Sequence, residues 1–275
     1  MESESKLGVT ELSETMLITL WAKSEETMRS DGILKDNKAL EIYNMLQYDF
    51  SKFKKAKFSQ FGTCLRAKII DEKTKEFFLK HPDAVVIQLG AGIDARYERL
   101  QCPLITHWYD LDLSEVINLR RKYLGESERN TYIASSMFEY DWIDKVQSHD
   151  KPTLIIIEGV TMYFEPEKME EFFKTLSFRF KNATVIFDML AYAAVGRSNM
   201  HDSLSKMGKS VEFLWSLLDS KQMEQWSDRI KVEKDIYFSD CDMNYRIPFV
   251  FRVLFKFRYF YLRFNQRIVT LHIGD

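Results

Sequence analysis

Val85-Val86-Ile87-Gln88-Leu89-Gly90-Ala91-Gly92-Ile93-Asp94 is the stretch around which the rest of the chain is organised. Its apolar, β-branched beginning predicts a buried strand. Gly90 and Gly92 then predict a tight turn against which a ligand can lie. The polar residues 94–99 predict the start of a helix. A strand, a glycine turn and a helix in this order hold nucleotide-like cofactors at the carboxyl end of a parallel sheet.

Glycine turns of this kind serve two main classes of cofactor, namely dinucleotides such as NAD, and S-adenosylmethionine. The segment Gly90-x-Gly92-x-x-Ala95 satisfies the dinucleotide fingerprint with alanine in its third place. The glycines therefore do not distinguish the two classes of cofactor. The residues around them have to decide between a dinucleotide and S-adenosylmethionine.

The bulk composition favours one large globular domain, or one domain with an added helical cap, because 45% of the 275 residues are hydrophobic and 29% are charged. The net charge of -2 provides no strong field for nucleic acid, so we expect no nucleic-acid partner. The five histidines show no metal-ligand spacing.

The three cysteines are far apart and odd in number, which argues against a zinc site or a disulfide framework and fits a reducing cytoplasm. The acidic, polar N-terminus differs from a signal peptide. No apolar run is long enough to span a bilayer. We therefore expect a cytoplasmic protein without a membrane partner.

Two regions follow from the order of the predicted elements. Residues 1–80 predict an N-terminal helical lid region, because their apolar positions recur at helical spacing and none is strand-like. Residues 81–275 predict an α/β cofactor-binding domain with a helical cap at about 191–235. The stretch 246–261 fits both a strand and a helix, and we favour the helix. The predicted strands are Val85–Leu89, Thr106–Asp112, Thr131–Ala134, Thr153–Val160, Ala183–Met189 and Ile268–Ile273.

Two carboxylates lie where these strands end. Asp112 stands 20 residues beyond Gly92, at the distance expected of a carboxylate that binds ribose hydroxyls. Glu158 ends a continuous apolar run, which predicts a central parallel strand covered on both faces. Both side chains are expected to face the same cleft. Their presence favours a glycine turn that binds a cofactor over a glycine turn that only shapes the backbone.

The ordered motifs resemble those of the leucine carboxyl methyltransferase superfamily, in particular its bacterial branch that acts on small molecules. The resemblance runs from about residue 19 to residue 188 and is weaker beyond. Ala95 stands where the family more often has threonine. The matching pieces are Lys23, Arg66 with Ile69-Ile70-Asp71, Gln88 to Arg96, Trp108 to Leu113, and Ile157 to Phe164.

The resemblance implies a Rossmann-like, seven-stranded class I methyltransferase fold and S-adenosylmethionine as cofactor, with S-adenosylhomocysteine as product. It implies that Lys23 and Arg66 hold the methionine carboxylate, and that Asp94, within the glycine motif, belongs to the cofactor-binding residues. Asp112 would bind ribose, and Glu158 would lie near the methionine amino group or the reactive centre. Ser136 and Met137 occupy the region expected near the adenine edge, although the family often has an acid there. Tyr163 would border the acceptor pocket.

Each of these residues also has a plainer interpretation. Arg66 and Lys23 alone would be read as solvated helix charges, and Tyr163 as a side chain that packs under the next helix. His201 and Arg197, in the predicted cap, are weak candidates for acceptor contacts. The basic, aromatic residues 252–267 could suit nucleic acid, but an amphipathic helix with solvated charges fits a slightly acidic chain better.

The function favoured by the sequence is therefore S-adenosylmethionine-dependent O-methyl transfer to a carboxylate or hydroxyl of a small molecule. A carboxylate is ionised at neutral pH and needs no general base, and no His–Asp dyad is apparent. The alternatives are an NAD(P)-dependent oxidoreductase and a non-catalytic binding protein on the methyltransferase fold. Against the oxidoreductase stand the internal position of the glycine strand and the lack of a Tyr-x-x-x-Lys motif.

Overall fold

A computed structural model describes residues 11–146, 150–197 and 212–274. Its centre is a seven-stranded sheet in the order β3-β2-β1-β4-β5-β7-β6. Strands β1 to β5 run parallel, whereas β7 lies antiparallel between β5 and β6. The strands are β1 (Val85–Leu89), β2 (His107–Asp112), β3 (Asn130–Ala134), β4 (Thr153–Ile157), β5 (Asn182–Met189), β6 (Ile230–Tyr237) and β7 (Arg267–Gly274).

Nine α-helices occur in the described residues. They are α1 (Glu11–Met28), α2 (Asn37–Met45), α3 (Lys57–Lys80), α4 (Arg96–Arg99), α5 (Ser114–Tyr123), α6 (Trp142–Lys145), α7 (Pro166–Arg179), α8 (Phe249–Leu254) and α9 (Arg258–Phe264). None of the helices described is long and apolar enough to cross a membrane.

The central strands are buried on both faces, which explains their continuous apolar sequences. Side chains of β1 alternate between two cores, since successive residues of a strand point to opposite faces. Val85, Ile87 and Leu89 join the core that includes α7. Val86 points to the opposite core, where α3 packs. The sheet is thus a middle layer between helices, as the α/β prediction requires.

The register brings the site residues to one edge. Leu89 at the end of β1 lies opposite Leu111 of β2 on one side and Ile157 of β4 on the other. Gly90 follows β1, Asp112 is the last residue of β2 and Glu158 follows β4. The three residues therefore lie at the same end of three neighbouring parallel strands.

The N-terminal helices α1, α2 and α3 contribute to a third core over this edge, together with side chains such as Ile93, Met162 and Phe213. Trp21 of α1 is fully buried there beside Phe53, with ring centroids 5.8 Å apart. The predicted helical character of residues 11–80 is confirmed. Their action as a lid remains a prediction.

The helical prediction for residues 191–235 is wrong for most of the residues described. Tyr192–Ala194 and Ser220–Gln225 are short 3-10 turns, residues 212–219 are irregular, and β6 begins at Ile230. Residues 198–211, which include His201, lie outside the described residues. The apolar side chains Phe213 and Trp215 of this stretch are buried in irregular backbone: Trp215 lies near Phe173 of α7 and Phe187 of β5, and Phe213 lies near Tyr163.

Strand β6 was not predicted, because it lies at the edge of the sheet and only Ile230 and Tyr237 of its eight residues are buried. The helical interpretation of residues 246–261 is confirmed by α8 and α9, which are separated by a break at residues 255–257.

Candidate functional site

A cavity of about 790 Å³ opens at the carboxyl ends of β1, β2 and β4. All ten site residues predicted from the sequence line it: Lys23, Arg66, Gly90, Gly92, Asp94, Asp112, Ser136, Met137, Glu158 and Tyr163. The structure thus brings the predicted residues together, while the role of each stays a prediction. Arg197 does not line the cavity and instead donates to the Ala193 carbonyl at 3.3 Å.

The glycine turn has a geometry that only glycine adopts without strain. Gly90 and Gly92 have φ angles of 65° and 53°, in the left-handed region. A Cβ on Gly90 would lie 2.4 Å from Cγ2 of Val160. The two glycines therefore let the backbone pass close to the loop after β4 and leave the floor of the cavity open.

The Asp112 carboxylate is fixed by the backbone at the end of β2. Its two oxygens accept hydrogen bonds from the N–H groups of Gly92, at 2.7 Å, and Leu113, at 2.8 Å. Burial raises the pKa of Asp112, and these two N–H donors partly oppose it. No Lys or Arg among the described residues lies within 4.0 Å. The remaining lone pairs are available to hydroxyl donors of a ligand.

A buried ion network fills the cavity wall between β1 and β4. It joins four cationic side chains to five carboxylates, all at most 10% exposed. The cations are Lys23, Arg66, Arg96 and Arg99, and the carboxylates are Asp36, Asp71, Asp94, Glu158 and Asp188. Charges buried to this degree are tolerated only when they are paired.

Two carboxylates of the network face the cavity. Asp94 accepts from Lys23 at 2.6 Å and from Arg99 at 2.8 Å. Glu158 accepts from Arg66 at 3.2 Å and also from Arg96.

Burial alone would raise the pKa of both carboxyls, but the neighbouring cations outweigh it. The pKa of Asp94 lies well below its ordinary value, and that of Glu158 is about 2. Both groups therefore stay ionised at neutral pH.

Asp188, at the end of β5, anchors the loop that follows β4. It accepts from Arg66 at 3.1 Å and from the N–H of Gly159 at 2.6 Å. Gly159 has a φ of 73°, and a Cβ there would approach Nη2 of Arg66 to 2.9 Å. This arrangement presses the guanidinium against the backbone and fixes its orientation.

Sequence reasoning missed the role of Arg96, Arg99, Asp71, Asp36 and Asp188. Arg96 and Arg99 lie on the single turn of α4, and their bonds to Asp71 and Asp36 join residues 25 to 63 positions apart. No local spacing indicates such pairs. The charge-rich sequence Asp94-Ala95-Arg96-Tyr97-Glu98-Arg99 directly after the glycine turn was the available clue.

Tyr163 lies in the loop after β4 with its ring near that of Phe213, at 5.9 Å between centroids. Burial raises the pKa of Tyr163 to about 12, a shift that the nearby Arg66 reduces. The phenol is therefore protonated at neutral pH and acts as a hydrogen-bond donor or acceptor.

The rest of the cavity wall is mostly apolar. Its phenylalanine side chains come from both the N-terminal and the C-terminal parts of the chain: Phe58, Phe61, Phe138, Phe164, Phe213, Phe238, Phe251, Phe255 and Phe264. A concave apolar pocket with a few fixed polar groups is typical of a small-molecule site.

The glycine turn is unsuited to a dinucleotide pyrophosphate. The N–H groups of Ala91, Gly92 and Asp94 already donate within the protein, to Leu111, Asp112 and Ala91. The following helix α4 has only four residues, so it offers little helix dipole. The ionised Asp94 and Glu158 would repel phosphate. This geometry favours S-adenosylmethionine over NAD(P).

A family model of the leucine carboxyl methyltransferases matches residues 18–177. The chain belongs to this family. It is 32% identical over 182 residues to the tetracenomycin polyketide synthesis O-methyltransferase of Streptomyces glaucescens, covering 66% of this chain and 67% of that protein. It is 26% identical over 255 residues, or 85% of both chains, to an S-adenosyl-L-methionine-dependent methyltransferase of Gibberella zeae.

Solved structures agree on the fold of this leucine carboxyl methyltransferase family member. A protein from Thermobifida fusca with a provisional methyltransferase assignment superposes with a TM-score of 0.57 at 10% identity, covering 92% of this chain and 94% of that one. A methyltransferase from Anabaena variabilis gives 0.52 at 11% identity, covering 76% and 84%. The seven-stranded Rossmann-like methyltransferase fold expected from the sequence is confirmed.

The chain is thus an S-adenosylmethionine-dependent O-methyltransferase, and the residues present suit that cofactor. Gln88 is buried on the cavity wall, and its side-chain oxygen finds no hydrogen-bond donor among the described residues. The ion network presents both cations and carboxylates to the cavity, so it can pair with the carboxylate and the ammonium group of an amino acid. Asp112 offers an acceptor for hydroxyls, as ribose requires.

Proposed function

We propose that this enzyme methylates a carboxylate of a small, largely apolar molecule. The observation that carries this proposal is the state of the titratable groups around the cavity. Asp94 and Glu158 are locked in ion pairs, and Tyr163 keeps its proton. No histidine occurs among the described residues that line the cavity. An acceptor that is already ionised at neutral pH needs no base from the protein.

We assign the cofactor contacts by chemistry. Asp112 would take the ribose hydroxyls, and Ser136 and Met137 the adenine edge. Lys23 and Arg66 would face the methionine carboxylate, while Asp94 and Glu158 would face its ammonium group. When bound, S-adenosylmethionine supplies a methyl group activated by its sulfonium. The residues then hold the acceptor oxygen in line with that methyl and keep water away.

Tyr163 would donate a hydrogen bond to the acceptor carboxylate, through the oxygen that is not methylated. Its raised pKa suits a donor and not a base. The aromatic wall around it would hold the apolar body of the acceptor and exclude water.

The names of the relatives support an acceptor of this kind. The S. glaucescens protein is named for tetracenomycin polyketide synthesis, and the family is named for a leucine carboxyl group.

We also propose that residues 1–80 act as a lid, that the enzyme is cytoplasmic, and that it has no nucleic-acid partner. The three cysteines are free, which suits a reducing compartment.

The acceptor class is tested with aromatic carboxylic acids and the phenols and primary alcohols of the same carbon skeleton. Deuterated-methyl S-adenosylmethionine labels the product, and mass spectrometry identifies an ester or an ether. We expect methyl esters and a rate that is flat above neutral pH, because the acid is fully ionised there. Exclusive methylation of phenols, with a rate that rises with pH, would contradict the proposal.

A further inference from the structure

One surface of the molecule combines exposed aromatic and basic side chains. Helices α8 and α9, with the break between them, expose Phe249 to 70%, Phe257 to 60% and Tyr259 to 58%. Arg252, Lys256, Arg258 and Arg263 alternate with these rings, and the sequence from 243 to 274 contains no Asp or Glu. Large exposed apolar side chains grouped in this way indicate an interaction surface.

A second segment extends this surface. Residues 54–58 contribute Lys54, Lys55, Lys57 and Phe58, and Phe58 is 59% exposed. The Phe58 ring packs edge-on against Phe251 of α8, with centroids 6.1 Å apart. We call residues 54–58 and 249–264 together the basic aromatic face.

The positive charge of this face is not neutralised. Among the described residues, no carboxylate forms an ion pair with Lys54, Lys55, Lys256 or Arg258. Two acids border the face: Asp240 accepts a hydrogen bond of 2.6 Å from Tyr261, and Asp49 lies close enough to Lys54 for that lysine to help lower its pKa. The whole chain has a net charge of -2, so this local excess of positive charge runs against the rest of the protein.

The basic aromatic face surrounds the mouth of the cavity. Phe58, Phe251 and Phe264 both line the cavity and are exposed, by 59%, 39% and 43%. Phe249 and Phe257 lie outside the cavity lining. A bound acceptor therefore covers the inner rings only, and the outer rings need another partner.

We propose that the basic aromatic face docks on the surface of a bilayer that contains anionic phospholipids. Phe and Tyr rings insert at the boundary of headgroups and acyl chains, while Lys and Arg attract anionic headgroups. A symmetric dimer through this face would place like charges against each other. Nucleic acid would leave aliphatic side chains such as Val250, which is 64% exposed, without a partner.

Docking in this orientation turns the cavity mouth toward the lipid. Apolar acceptors dissolved in the bilayer then reach the cavity without crossing water. The proposal replaces the expectation that the protein has no membrane partner. That expectation was drawn from the lack of an apolar run long enough to span a bilayer, and docking on the bilayer surface needs no such run. It does not rest on the choice of carboxylate as acceptor, since the face lies outside the reacting centre.

The test is co-sedimentation of the full chain with unilamellar vesicles. One preparation contains phosphatidylcholine alone, and the other an equimolar mixture of phosphatidylcholine and phosphatidylglycerol. We expect binding to the mixed vesicles, weakening as salt is added. The double variant Lys256→Glu with Arg258→Glu should lower the partition coefficient at least about tenfold. Phe249→Ser with Phe257→Ser should also lower it.

Matched controls change the same residue types elsewhere. Lys75→Glu with Lys80→Glu reverses two exposed charges on α3, at least about 25 Å along the helix axis from Phe58. Leu79→Ser with Leu104→Ser removes two apolar side chains that are 87% and 83% exposed. Both controls should bind vesicles like the wild type. Calorimetric affinity for S-adenosylhomocysteine, measured for every variant, confirms that each is folded.

Three results would overturn the proposal. Wild-type protein could remain in the supernatant with both vesicle types. Binding could be equal in the face variants and the controls. Sedimentation velocity without lipid could show a dimer that the Phe249→Ser and Phe257→Ser changes dissociate, in which case a second copy covers the face.

Discussion

Single residues fix the shape of the cofactor turn, and Gly90 is the most constrained of them. Gly90→Ala places a Cβ in the left-handed region and 2.4 Å from Val160. We expect a loss of about 1–3 kcal/mol in the free energy of unfolding, together with loss of S-adenosylhomocysteine binding. Urea denaturation and calorimetry measure the two effects.

Gly196→Ala is the matched control for that change. Gly196 has a similar φ of 71°, but a Cβ there meets nothing within 4 Å. It should lose only the backbone cost, about 1–2 kcal/mol, and keep cofactor binding. Equal losses at both positions would show that the contact with Val160 is unimportant.

Tyr163 tests the proposed contact with the acceptor. Tyr163→Phe removes the hydroxyl but keeps the ring that packs near Phe213. Because a hydrogen bond to a charged group contributes about 1.5–3 kcal/mol, kcat/KM for the acid should fall about 10- to 100-fold. Calorimetric affinity for S-adenosylhomocysteine should stay the same. An unchanged kcat/KM would remove Tyr163 from the reaction.

At the scale of elements, α1 connects the N-terminal helices to the cofactor site. Lys23 on α1 donates to Asp94 at 2.6 Å, and Met16 and Thr19 line the cavity. If the N-terminal region acts as a lid, S-adenosylhomocysteine should slow amide hydrogen exchange in residues 15–28. The last residues of α3, 75–80, are largely exposed, serve as the control and should not change. Unaltered exchange in α1 would contradict a lid.

The sequence predicts a strand or helix most reliably where all of its residues are buried. The strands β1 and β4 have five buried residues each, so their apolar runs identify them. Strand β6 has charged residues at alternate and adjacent positions, and its neighbour β7 alone holds it in the sheet. Pairing between residues distant in sequence, and not local preference, creates that strand.

The candidate site was predictable to the same extent. Gly90, Gly92, Asp112 and Glu158 stand at strand ends, where spacing alone places them on one edge. The ion network was not predictable, because Arg99 reaches Asp36 over 63 positions through the packing of α2 against α4. The basic aromatic face was noticed in sequence as residues 252–267, but its position at the cavity mouth depends on tertiary structure.

For the whole molecule, the buried ion network links stability to pH. The folded state holds the pKa of Glu158 at about 2, below the ordinary value of 4.5, and also lowers that of Asp94. A lowered carboxyl pKa stabilises the fold above the unfolded pKa, and this contribution is lost as pH falls. Asp112 acts in the opposite sense, because burial raises its pKa.

We therefore expect the free energy of unfolding to fall between pH 4.5 and about 2. Urea denaturation across this range measures it. Glu158→Gln should be less stable at neutral pH and show a shallower fall on acidification. Glu115→Gln, at an exposed position on α5, is the control and should follow the wild type. If the free energy of unfolding of Glu158→Gln depended on pH as strongly as that of the wild type, the Glu158 carboxylate would not be a source of the loss of stability in acid.

The most direct test of the whole account is calorimetric titration of the full chain with S-adenosylhomocysteine and with NADH. The comparison includes Asp112→Ala, which removes the carboxylate held by Gly92 and Leu113 at the end of β2. We predict that the wild type binds S-adenosylhomocysteine and not NADH, and that Asp112→Ala weakens this binding at least about tenfold. Binding of NADH, or wild-type affinity in Asp112→Ala, would contradict the assignment of this cavity.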